Sequence, residues 1–133
     1  MTSGIMPVVT LQNGLQVGNF SSPHPFLFVD GTSLEACSDE RARALMLHAE
    51  EVTTNGVALP GGGHVQDIDL EFRLSEEVRV ALEEAQAADC DVVLVPFPVI
   101  RAMKEAGMEI GKCRVIRVAD RVTKAIFTDR FCV

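Results

Sequence analysis

Apolar and polar positions along this chain follow two periods. Alternation of apolar and polar residues marks PVVTLQ and LQVGNF on either side of Asn13-Gly14. It marks VQDIDLEFRL as well, where Ile68, Leu70, Phe72 and Leu74 share one side and Asp67, Asp69, Glu71 and Arg73 the other. The first pair predicts a β-hairpin closed by a type I′ turn, because Asn-Gly is the dipeptide best suited to one. The second predicts a half-buried strand. FLFVDGT reads as another extended piece ending in an Asp30-Gly31 turn, after a stiff SSPHP stretch.

Helical spacing appears elsewhere. Ser38 caps a segment with Asp39 and Glu40 in its first turn, and Ala42, Leu45, Met46, Ala49 and Val52 recur on one face, predicting a helix that runs out in TTNG. The triple glycine of VALPGGGH predicts a loop. Ser75 caps a second helix with Val78, Ala81, Leu82, Ala85 and Ala88 as its stripe. VVLV predicts a strand covered on both faces, and Pro98 opens a short helix that stops at Gly107. CRVIRV and TKAIFT flank a turn at 119–121, predicting a C-terminal hairpin.

Together these elements predict one α+β domain over residues 1–133. Two or three helices pack on a mainly antiparallel sheet with a β-hairpin at each end. At 133 residues the chain buries roughly two-thirds of its unfolded surface, so it needs neither disulfide nor metal to fold. Cys37, Cys90, Cys113 and Cys132 form no C-x-x-C pair and read as buried thiols. MTSGIMPVVT lacks the features of a secretory signal, and no apolar run approaches the length needed to cross a bilayer, so a cytoplasmic protein with no membrane partner is expected.

Charge changes the picture. The net charge is -7, yet residues 1–97 hold four basic against fifteen acidic side chains and residues 98–133 hold eight against four. Such a split points to an anionic ligand, an anionic partner, or halves that attract each other. A candidate anion site comprises Phe97, Arg101 and Lys104 on the helix after VVLV, Arg121 and Lys124 beside the C-terminal turn, and His24 between Pro23 and Pro25. Arg121 and Lys124 have opposite strand parity, so they share a face only if the turn breaks the alternation. A structural, salt-bridged role for these cations competes with the anion reading. The absence of Trp and Tyr, and an acidic half that repels a long phosphate backbone, argue against nucleic acid.

Other constellations are thinner. Gly61-Gly62-Gly63-His64 lacks the Lys and Ser or Thr of a P-loop and leads into a strand. His64 differs in parity from Asp67 and Asp69, which favours a solvated strand face over a metal site; no metal and no cofactor are expected. Cys37 precedes a helix N-terminus, but Glu35, Asp39 and Glu40 disfavour its thiolate. His48 reads as an exposed residue on its helix.

MPVVTLQNG, NFSSPHPF and DRVTKAIFTDRF resemble segments of small proteins encoded by tailed phages and prophages, over most of the chain. That resemblance carries no activity or catalytic residue with it; it implies the cytoplasm of a bacterial host. The order strand, short glycine-terminated helix and basic hairpin, in LVPFPVIRAMKEAG followed by KCRVIRVADRVTKAIFTD, is similar to small viral anti-defence proteins that bind or degrade nucleotide signals. Their motifs are not reproduced, so no site transfers.

The leading expectation is a non-enzymatic phage-type accessory protein that binds an anionic small molecule, a nucleotide-derived host defence signal. The alternative is a protein-interaction or self-assembly module, a homo-oligomer in which basic and acidic surfaces of two copies meet. A second alternative is a small hydrolase using His24, His64 and the nearby aspartates.

Overall fold

The computed structural model describes residues 5–133; residues 1–4, part of the segment read as lacking a secretory signal, lie outside the described residues. In chain order the elements are β1 (Val8–Thr10), β2 (Gln16–Asn19), β3 (Phe26–Leu27), β4 (Ser33–Leu34), α1 (Asp39–Ala44), β5 (Ala49–Ala58), β6 (His64–Phe72), α2 (Glu76–Ala87), β7 (Val92–Leu94), α3 (Phe97–Glu105) and β8 (Cys113–Arg114). The fold is α+β, as expected, but its main sheet is mixed rather than mainly antiparallel. Strand order is β1-β2-β7-β8, with β1 antiparallel to β2 and with β2, β7 and β8 mutually parallel. Parallel neighbours need a crossover, and α2 and α3 supply it in the connections to β7 and to β8.

Periodicity explains the layers. Val93 and Val95 face Val78, Leu82, Val99, Ile100 and Met103 of the two helices. Leu94 turns the other way and meets Leu11, Val17, Phe28, Leu34 and Ile126. The VVLV run is therefore covered on both faces, as its unbroken apolar character predicts. Helix α2 has the expected cap, Val78 N–H to Ser75 Oγ at 3.2 Å, and the expected buried stripe. In α3 Pro98 stands one place further in, at the second position. Gly107 takes φ 70° and ends the helix in a Schellman turn: Gly107 N–H reaches the Lys104 carbonyl at 3.1 Å and Met108 N–H the Met103 carbonyl at 2.9 Å.

Three local expectations change. The N-terminal hairpin forms, but Gly14 alone takes positive φ, 90°, and Thr10 faces Gln16 across a longer loop, so the turn is not type I′. Helix α1 stops at Ala44, and Ala49 and Val52, expected on its apolar face, belong to β5. The segment EEVTTN is rich in β-favouring residues, and a long ladder to β6 outweighs five residues at helical spacing. The C-terminal hairpin doubles back as expected but keeps only the Val118–Ile126 bridge, because 113–114 pairs with β7 and Ile126 also pairs with Phe28.

The loop after β2 is tied down by Asn19, which is fully buried. Its amide nitrogen donates to the carbonyls of Ser22 (3.1 Å) and Glu35 (3.0 Å), and its amide oxygen accepts the Ser22 N–H at 2.9 Å. Asn19→Ala leaves those three partly buried backbone groups without their side-chain partner. The expected loss is about 2–3 kcal/mol of unfolding free energy, measured by urea denaturation.

Candidate functional site

Two clefts of about 270 and 250 Å³ flank Pro96 and share Ser22. They lie where β2 and β7 end, the position at which open sheets with parallel strands receive ligands. Of the six residues expected to bind an anion, Phe97 alone lines them, and its neighbours there are apolar: Phe26, Leu94, Val115 and Ile116. The start of α3 offers an anion little. Pro98 has no N–H, and the N–H groups of Val99 and Ile100 both donate to the Pro96 carbonyl, at 3.0 and 3.2 Å.

The other five residues are exposed. Arg101 is paired with Glu105 at 3.3 Å, one turn along the same helix. Lys104 stands near the end of α3. Arg121 and Lys124 occupy a turn in which the Asp120 carboxylate accepts the N–H groups of Val122 (2.8 Å) and Thr123 (3.3 Å), and those bonds hold its pKa below the usual value. Lys124 has φ 63°, so strand alternation is broken there, the condition for the two cations to share a face. His24 sits in the loop after β2, where its N–H donates to Ser22 Oγ at 3.1 Å.

His64 pairs with Ala58 at the far end of the β5–β6 ribbon, while His24 belongs to the loop between β2 and β3, and the structure does not bring them together. Among the described residues no group of three His, Cys, Asp or Glu is placed to hold a metal. His48 is exposed, but in the link between α1 and β5 rather than on a helix. Cys37 is buried and donates its thiol to the Asn19 carbonyl at 3.2 Å; burial pushes its pKa up, against the opposing pull of Arg41. Arg41, which sequence reading missed, is itself buried, with Nε donating to the Phe20 carbonyl at 2.6 Å and its guanidinium over the Phe20 ring.

The unexpected feature is the ribbon. Among the described residues, strands β5 and β6 pair only with each other. Ten residues of strand make it about 33 Å long, more than twice the radius of gyration, about 14 Å, expected for a 133-residue domain. Its root meets α3, but from Ala49 to Leu70 nearly every residue is exposed. The register puts Phe72, Leu70 and Ile68 on one face with Glu51 and Thr53, and Glu71, Asp69 and Asp67 on the other with Glu50 and Val52. A bulge at Thr53/Asn55 leaves Val57 beside Val65 near the tip. The alternation expected for a half-buried strand is present, but the apolar side is uncovered: Ile68 is 47% and Leu70 45% exposed.

The basic residues of the last quarter divide in two. Lys112 donates to the Ala88 carbonyl at 2.8 Å, Arg114 to the carbonyls of Gly111 and Cys113, Arg101 pairs with Glu105, and Arg130 pairs with Asp129 and covers the Phe127 ring. Lys104, Arg117, Arg121 and Lys124 are exposed and face solvent. On the ribbon, Arg73 engages Glu50 and Glu71, whereas Glu51, Asp67 and Asp69 have no ion pair among the described residues.

Thiol accessibility follows from burial. Cys132 is exposed and the other three are buried, so one of the four thiols is expected to react with a disulfide reagent in the native protein. Burial raises the Cys113 pKa from 9.0 to about 11, and the thiol therefore stays protonated in the fold where the unfolded chain ionises. Its contribution is complete below pH 9 and is lost as pH rises through about 11, so the urea midpoint should fall across that window, and less in Cys113→Val. Comparison with protein-family models, with curated proteins and with solved structures finds no match.

Proposed function

We propose that the chain is a self-assembling interaction module, an accessory protein of phage type whose β5–β6 ribbon is an arm for further copies of itself. The uncovered Ile68–Leu70 row carries this reading. A two-stranded hairpin is at best marginally stable in water without a third layer, and this one bares apolar side chains on both faces. A strand pattern written for a buried face, left uncovered by its own chain, is supported best by cover from another chain. Binding of a nucleotide-derived anion draws less support, because the cleft beside Phe97 is apolar and Arg101 is paired.

Light scattering tests the proposal. The protein is expected to run as a dimer or larger species that weakens as salt rises. Ile68→Ser with Leu70→Ser removes about 3 kcal/mol of apolar cover, or about a hundredfold in affinity. The melting temperature of the dissociated chain should stay unchanged, since neither side chain is packed inside the fold. A wild-type protein that stays monomeric at every concentration and salt overturns the reading.

A further inference from the structure

Resting on that reading, we infer that the ribbon docks on the segment 117–126 of a second copy, and that two copies embrace reciprocally. The receiving surface is mixed in the same way as the arm, with the opposite charge. Val118 (43% exposed) bridges to Ile126, and Val122 (90% exposed) stands on the turn beyond it. Leu27 and Val29, both exposed, flank the same strand: the Ile126 N–H donates to the Leu27 carbonyl at 2.9 Å and the Val29 N–H to the Ile126 carbonyl at 3.0 Å. Arg117, Arg121 and Lys124 are exposed on the same segment, and their side chains have no hydrogen bond or ion pair among the described residues.

The arm offers the matching set. Asp67 and Asp69 project from one face among the exposed Val52, Val57 and Val65, while Glu51 stands beside Ile68 and Leu70 on the other. Both surfaces therefore carry unpaired charge around bare aliphatic groups, negative on one and positive on the other, and like surfaces repel. Arm against arm and patch against patch are disfavoured, which leaves arm on patch. A copy that offers one of each closes with a second copy about a two-fold axis and leaves neither exposed.

Charge reversal tests the docking surface separately from self-assembly. One variant carries Asp67→Lys and Asp69→Lys; the other carries Arg121→Glu and Lys124→Asp, since Asp tolerates the positive φ at 124. Alone, each faces like charges at both contacts, and its dimer dissociation constant is expected to rise about tenfold or more over wild type by sedimentation. Mixed in equal amounts, both contacts are complementary again, and a heterodimer of wild-type affinity should form. Circular dichroism and melting of each variant establish that it is folded before mixing. If wild type dimerises but the mixture stays dissociated, or if only one variant weakens the dimer, the 117–126 segment is not the dock while self-assembly stands. If wild type is monomeric, the dock and the underlying reading fall together.

Discussion

Parallel pairing of β2, β7 and β8 is the constraint on which the rest of the structure depends. Strands that run side by side in one direction cannot be joined by a tight turn, so the chain must leave the sheet and return. Between β7 and β8 it returns by way of α3 alone; between β2 and β7 it makes a far longer excursion that holds β3, β4, α1, the ribbon and α2. The central strand β7 pins both ends of that path, with Val93 against the helices and Leu94 against the opposite core. Asn19, at the end of β2, anchors the departing chain through hydrogen bonds to Ser22 and Glu35.

The long excursion explains how a bare ribbon exists in a chain with a well-filled core. Helices α2 and α3 cover one face of the main sheet, and β3, β4 and the 115–132 segment cover the other. No apolar face of the sheet is left for β5 and β6 to cover, and they pair with each other. Their exposed valines, Ile68 and Leu70 are then a surface rather than a core. The same arrangement sorts the charges. Cations near the sheet, Lys112 and Arg114, are drawn into bonds with backbone carbonyls, and Arg117, Arg121 and Lys124 on the outer turn stay exposed.

Several features were legible along the chain because their causes are local. Ser38 and Ser75 cap helices through their own side chains. Gly107 closes α3 because it accepts positive φ without cost. The VVLV run announced a strand with two covered faces, and the stripe of α2 announced its buried side. Helix α1 was misjudged because five apolar residues at helical spacing compete with a β-branched run whose partner lies beyond the glycine loop. The candidate anion site was legible only as a count of cations; whether they converge depends on where separate elements meet.

Period, capping and turn chemistry reside in a few consecutive residues, and from them the residues alone marked β1, β2, β6, α2, β7 and α3 and the apolar side of each, though not the change from α1 to β5. They could not settle what covers each apolar side. The alternation of Ile68, Leu70 and Phe72 is the same whether the strand lies on a core or stands in water. Strand direction is equally silent in the pattern, since period two is shared by parallel and antiparallel pairing. Those outcomes depend on competition among all the apolar faces of the chain for the same partners, and here α2 and α3 took the sheet while the ribbon was left with an open face.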